Sequence, residues 1–292
     1  MSVVYYGEEG YINLVRDVLK NGVDTPDRTG VGCRKVFDRK IVWNVGEQFP
    51  YSTFRPASLK MAYKEFWFFM SGQTDTNILS NQGVPFWIGN TTREFLDKRG
   101  LHYLPTGNMG KAYGYQWRNY SGEIDQLMDI SKTLTDDPFS RRMITTFWNP
   151  AQSSEMALTP CWHSHQFVVI PEKDGSHTLN MKVMNRSLDV VFGESFARQQ
   201  YALYLVCMAK LNNMNVGYMS CDLTDVHMYD NQVEFATEMV ERDLGVGGTL
   251  NIKSELKTID DVIGLEWEDI EVDKNLVVNK KPFVTERPPM AV

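Results

Sequence analysis

The chain has 292 residues, 42% apolar and 23% charged, with a formal net charge of −7. That length and apolar share supply ample material for one large core or two average domains. The acidic balance excludes a general nucleic-acid binder, which needs a basic surface to displace counterions. A single phosphate remains possible, because it needs only a few local arginines. Four cysteines, Cys33, Cys161, Cys207 and Cys221, form no CxxC pair, so a zinc site is not expected. No apolar run of about 18 residues is available to span a membrane. Met1–Gly10 is polar and acidic, unlike a secretory signal. The expectation is a cytoplasmic protein with reduced, buried thiols and no metal.

In chain order, Tyr11–Leu19 has the apolar spacing of a helix. Ser58–Met70 reads as a helix that is apolar on its later turns and therefore buried. Ile124–Leu134 is an amphipathic helix that stops before Asp136-Asp137-Pro138. Met143–Trp148, Gln166–Ile170 and Thr178–Met184 read as strands. Phe196–Leu211 is a long helix with one broad apolar face. Strands and helices mix without a βαβ rhythm, which favours an α+β layer fold. No repeat or low-complexity linker interrupts the chain, so residues 1–292 read as one domain.

Several side chains could carry chemistry, each with a plainer alternative. Cys161, in Pro160-Cys161-Trp162-His163-Ser164-His165, is either an activated thiolate or an ordinary buried cysteine. Arg28, Arg141, Arg142 and Arg186 each sit beside a hydroxyl or small residue, a combination that suits a phosphate. Solvated surface arginines would look the same. His227 and Tyr229, two apart in an extended segment, would share a face and could hold a sugar hydroxyl, or simply half-bury. Glu65 lies within an apolar helix. A desolvated carboxyl there would titrate near neutrality, as a general acid or base requires; a surface glutamate paired with lysine is the alternative.

These pieces occur in the order of the thymidylate synthase family, which the chain resembles from about Arg28 to Val292. Arg28-Thr29-Gly30 resembles the phosphate loop, and Phe49-Pro50 with Arg55 a folate-contacting segment. Glu65 matches the catalytic glutamate, and Trp87 with Asn90 the W-x-x-N folate segment. Tyr113–Arg118 matches YGxQWR, and Asp137–Arg142 matches DPxSRR. Pro160-Cys161 followed by Gln166-Phe167 resembles the nucleophile loop. Arg186–Val190 matches RSxDV, and Asp225, His227 and Tyr229 match D-x-H-x-Y.

The resemblance implies a fold with a large mixed sheet packed with helices, one sheet face forming a homodimer interface. It also implies an enzyme that moves a one-carbon unit from 5,10-methylenetetrahydrofolate to carbon 5 of a pyrimidine nucleotide. Cys161 would attack carbon 6, with Glu65 and Tyr113 handling protons and Arg186 favouring the thiolate. Arg28, Arg186 and Ser187 would hold the phosphate, joined by Arg141 and Arg142 from the other copy. Gln166 belongs to the substrate set, and His227 and Tyr229 to the deoxyribose. Asp189, Trp87, Asn90, Arg55 and the terminal Val292 would serve the folate. A nucleotide-binding member without catalysis is the alternative from another class; retention of Glu65, Tyr113 and Cys161 speaks against it.

Two departures bear on the base. The family's uracil-reading asparagine is Ala197 here, which makes neither of its bonds. Trp162 replaces the histidine that usually follows the nucleophile. With Asp189–Gly193, which resembles the corresponding segment of phage dCMP hydroxymethylases more than that of ordinary thymidylate synthases, these departures point to dCMP as substrate, and the retained Trp87 and tail point to a methyl rather than hydroxymethyl product. A dCMP or dUMP hydroxymethylase and an ordinary thymidylate synthase are the alternatives.

Overall fold

The computed structural model describes residues 3–289. Val292 and the tail expected to close over folate lie outside the described residues.

Helix Gly7–Asn21 buries Tyr11, Leu14, Val15 and Val18, the i, i+3, i+4, i+7 stripe of an amphipathic helix. Helix Leu59–Met70 begins where Ser58 Oγ accepts from Met61 N at 3.2 Å, an N-cap of the ordinary kind. Its buried side includes Phe66, Trp67, Phe68, Phe69 and Glu65. Helix Gln126–Asp136 is capped by Asp125, which accepts from Met128 N at 3.1 Å. Helix Gly193–Leu211 differs from expectation. It is buried on nearly every side, polar residues included, rather than along one face.

A seven-stranded mixed sheet forms the centre. Its strands are β1 (Val3–Tyr6), β2 (Val23–Thr25), β3 (Cys33–Asn44), β4 (Ile144–Thr146), β5 (Trp162–Pro171), β6 (His177–Asp189) and β7 (Asn215–Tyr229). Their order is β1-β3-β7-β6-β5-β4, with β2 paired to β3. Pairs β1/β3 and β6/β7 are parallel and the others antiparallel. A small second sheet pairs Leu250–Ile252 with Ile270–Val272. This is the expected α+β arrangement of a large mixed sheet packed with helices.

Two of the longest strands, β3 and the first half of β7, carry no clean sequence alternation. Their outer sides are charged and pair across strands: Lys40 with Asp222 at 3.2 Å and Lys182 with the same carboxylate at 2.5 Å. The core side is easier to follow. Leu179, Met181 and Val183 on β6, and Met219, Cys221 and Leu223 on β7, point inward. Successive side chains alternate faces, so the same inward face continues along β6 to Asn185, Ser187 and Asp189 and along β7 to Asp225, His227 and Tyr229. The core therefore opens into a cleft at this end of the sheet.

A buried ion pair ties the layers together. Arg198, 1% exposed, bonds Glu194 at 2.6 Å. It also donates to the Pro50 and Tyr51 carbonyls at 3.0 and 3.1 Å and to Ser52 Oγ at 2.7 Å. The loop before helix Leu59–Met70 is thereby pinned to helix Gly193–Leu211.

Candidate active site

The cleft has a volume of about 730 Å³. Cys161, Glu65, Tyr113, Arg186, Arg28, Ser187, Asp189, Trp87, Asn90, Trp162, Ala197, His227 and Tyr229 all line it. Of the expected set, Arg55, Gln166, Arg141 and Arg142 do not.

Cys161 sits where the chain enters β5, and its thiol faces the cleft. The walls are close enough for desolvation to hold the thiol above its ordinary value, against the lowering pull of Arg186 and Arg28. Arg186 Nη2 approaches the sulfur at 3.7 Å. The guanidinium's other bonds go to the Thr159 and Pro160 carbonyls at 2.8 and 2.9 Å and to Thr159 Oγ1 at 3.0 Å. Arg186 thus shapes the nucleophile loop as well as biasing the thiol, and burial outweighs the bias. The backbone N–H of Cys161 donates to the Tyr113 hydroxyl at 2.7 Å. Tyr113 stacks on Phe69, and burial pushes its phenol well up.

Glu65 is 8% exposed and, among the described residues, is bonded by Trp87 and Gln200 rather than by a lysine. Its two oxygens accept from Trp87 Nε1 at 2.7 Å and Gln200 Nε2 at 2.5 Å. Both bonds favour the carboxylate, yet desolvation wins and raises the group to about 7. A carboxyl with that value can gain or lose a proton near neutrality.

Opposite these groups, His227 Nδ1 meets Asp225 Oδ1 at 3.1 Å, and Asp225 takes Lys35 Nζ at 2.9 Å. The Tyr229 ring packs edge-on against His227. Arg28, on the exposed loop after β2, has its guanidinium 5.6 Å from the Phe95 ring centroid. Arg28, Arg186 and Ser187 line the same cleft, and arginine and hydroxyl donors suit an anion. Trp87, Phe86 and Phe196 give the cleft flat apolar walls, and buried Asn90 carries an Nδ2 with no partner among the described residues. Such a surface fits a planar heteroaromatic ring with an acceptor. Asp189 is largely committed: it accepts from Val191 N and Phe192 N at 2.9 and 3.2 Å and from Gln232 at 3.2 Å.

Arg55 lies in the interior, not the cleft. Its Nη2 bonds the Val191 carbonyl at 2.7 Å and Ser195 Oγ at 2.9 Å. It holds the turn between β6 and helix Gly193–Leu211 rather than facing folate. Gln166 falls on the outward face of β5, where it donates to the Arg141 carbonyl at 3.3 Å. A bulge at Trp162/Ser164 resets the alternation, so the cleft takes Trp162 and not Gln166. Arg141 and Arg142 are exposed, away from this cleft.

Trp162 is 3% exposed, packed between Phe147, Trp117 and Tyr201. Beneath it His165 is fully buried, with neither ring nitrogen bonded among the described residues. Desolvation drives it down to about 3. Among the described residues no cluster of three His, Cys, Asp or Glu could hold a metal, and no helix is long and apolar enough to cross a membrane. Gln200, Asn185 and Arg287 are among the cleft residues that escaped the sequence reading. Gln200 and Asn185 left a trace, as polar residues in otherwise apolar elements. Arg287, whose guanidinium packs on Phe192 from the far end of the chain, left none.

A thiol, a neutral-range carboxyl, arginine and hydroxyl donors and a flat apolar wall share one cleft, a set suited to covalent and acid–base chemistry on an anionic substrate. The thymidylate synthase family model matches residues 9–279, and the chain belongs to that family, whose members carry out folate-dependent C5 methylation of a pyrimidine nucleotide. It is 34% identical to thymidylate synthase of Saccharomyces cerevisiae over 284 residues, 91% of this chain and 92% of that one. Thymidylate synthase of equine herpesvirus 2 is 34% identical over 271 residues, 89% and 92% of the two chains. The bifunctional dihydrofolate reductase-thymidylate synthase of Paramecium tetraurelia is 32% identical over 277 residues; that match takes in 91% of this chain and 58% of the longer protein.

Proposed function

We propose that the cleft performs the reaction for which these relatives are named, methylation of dUMP to dTMP with 5,10-methylenetetrahydrofolate as one-carbon donor. The observation that carries this is Glu65, a buried carboxyl near pH 7 sharing one cleft with Cys161. Similarity to curated thymidylate synthases over nine-tenths of the chain supports uracil as the base.

In this reading the Cys161 sulfur adds to carbon 6 and makes carbon 5 nucleophilic. Glu65 exchanges a proton with the ring, and Tyr113 assists loss of the carbon-5 proton. Arg28, Arg186 and Ser187 hold the phosphate, and His227 with Tyr229 the 3′-hydroxyl. The folate supplies the one-carbon unit and a hydride and leaves as dihydrofolate; Trp87 and Asn90 flank its ring. Arg141 and Arg142, turned away from this cleft, suit completion of the phosphate site of a second copy in a homodimer. The apolar side chains exposed on strands, Phe37, Ile144, Val168 and Tyr218 among them, suit such a contact. Residues 1–292 act as one catalytic domain, in the cytoplasm.

The dCMP substrate expected from sequence is the second reading, favoured by one observation: no amide stands at position 197. Steady-state turnover of dUMP and dCMP side by side tests both. The expected result is a preference for dUMP of at least about tenfold in kcat/KM, ~1.4 kcal/mol of transition-state stabilisation. An equal preference for dCMP would establish the second reading. Product mass separates methyl from hydroxymethyl, which is heavier by one oxygen.

A further inference from the structure

A pyrimidine in this cleft leaves water behind, so each donor and acceptor on its edge needs a partner. Ala197 offers none. Two amides beside it have unused capacity, and both line the cleft with Ala197. Asn185, at the inner end of β6, is 2% exposed. Its Oδ1 accepts from the Tyr201 hydroxyl at 3.0 Å, while its buried Nδ2 has no partner among the described residues. A buried, unpaired N–H beside a ligand cleft points to an acceptor on the ligand.

Gln200 lies three residues beyond Ala197 in helix Gly193–Leu211, hence on the same helical face. Its Nε2 is committed to Glu65 Oε2 at 2.5 Å. A carboxylate only accepts, which turns the amide nitrogen towards Glu65 and the carbonyl oxygen away from it. That oxygen accepts from no group among the described residues.

We infer that Asn185 and Gln200 together read the edge of uracil, Gln200 Oε1 accepting the ring N3–H and Asn185 Nδ2 donating to an adjacent carbonyl oxygen. The donor and acceptor that one asparagine at position 197 would supply are divided between two residues that flank it. Uracil carries its single edge donor between two carbonyl oxygens, so an acceptor beside a donor matches it from either side. Cytosine carries its donor at the end of the edge and matches only one of the two arrangements. The inference rests on the reading of the cleft as a dUMP site.

Calorimetric binding of dUMP and dCMP without folate tests it, because catalysis by Glu65 does not enter. The wild type is expected to prefer dUMP by about tenfold or more, the range of one well-placed buried hydrogen bond. Gln200→Met keeps the length and removes the acceptor; dUMP binding should weaken by about tenfold and the preference fall to within about threefold. Asn185→Ser should move the preference the same way, and decides the matter if the first variant does not fold by circular dichroism. A wild-type ratio retained in the folded variants, or a wild type without preference for dUMP, overturns the inference. Turnover of dUMP with that retained ratio leaves the proposed function standing, whereas a wild type that binds neither nucleotide refutes the function as well.

Discussion

Replacing Glu65 with glutamine separates the cost of the buried carboxylate from its use. The group titrates at 4.5 when free and at about 7 in the fold. A raised carboxyl binds its proton more tightly folded than unfolded. The fold therefore loses stability as pH rises from 4.5 through about 7. At 1.36 kcal/mol for each tenfold change in proton affinity, the full cost is roughly 3 kcal/mol, of which ~2 kcal/mol develops between about pH 5.5 and pH 8.5. Glu65→Gln carries no such charge and still accepts from Trp87, while Gln200 can turn its amide to accept from the new one. In urea unfolding at those two pH values, the variant should gain about 2 kcal/mol on the wild type at the higher pH. Its kcat should fall by at least about 100-fold, as for loss of a general acid or base. A stability difference that stays flat across this range would refute the assignment of a desolvated, neutral-range carboxyl.

Cys161→Ala should give no covalent adduct with 5-fluoro-dUMP and methylenetetrahydrofolate in intact-protein mass spectrometry, where the wild type does. Arg186→Ala removes the stronger of the two guanidinium charges that pull the Cys161 thiol down. Alkylation by iodoacetamide should shift to higher pH, and an unchanged profile would show that the guanidinium acts only on the loop. Arg198→Met leaves buried Glu194 unpaired and should cost about 3–5 kcal/mol in thermal or urea unfolding. His165 is neutral in the fold and chargeable when unfolded, so it withdraws stability as pH falls below 6.5 towards about 3. His165→Phe should unfold at a higher temperature and lose less stability on acidification.

The chemistry was more legible in the sequence than the scaffold. Glu65 stood out as a carboxylate within the mostly apolar run SLKMAYKEFWFFM, and the fold buries it against Trp87 and Gln200. Strand β3 was not legible, because Lys35, Arg39 and Lys40 break its alternation and find their carboxylate partners on β7 and helix Gly7–Asn21. Arg55 and Gln166 were assigned to ligands by resemblance, and their side chains point elsewhere: one inward to the Val191 carbonyl, one across the sheet. A one-residue bulge in β5 decides the latter, and such a bulge depends on the partner strand. The bonds of Asp189 to Val191, Phe192 and Gln232, and of the Gln200 amide nitrogen to Glu65, likewise depend on contacts that spacing cannot reveal.

The parallel pairing of β6 with β7 acts as a ruler. Ser187 lies opposite Asp225, and Asp189 opposite His227, so the phosphate-side and sugar-side groups are spaced by one hydrogen-bonded register. Length changes in the outer loops, such as the turn at Asp174-Gly175, leave that spacing untouched. A single residue added inside either strand, between the core and the cleft, would turn the whole set of side chains beyond it to the wrong face. Tolerance to insertion should therefore fall abruptly from loop to strand, marking where the chain stores the distance between the two ends of its substrate.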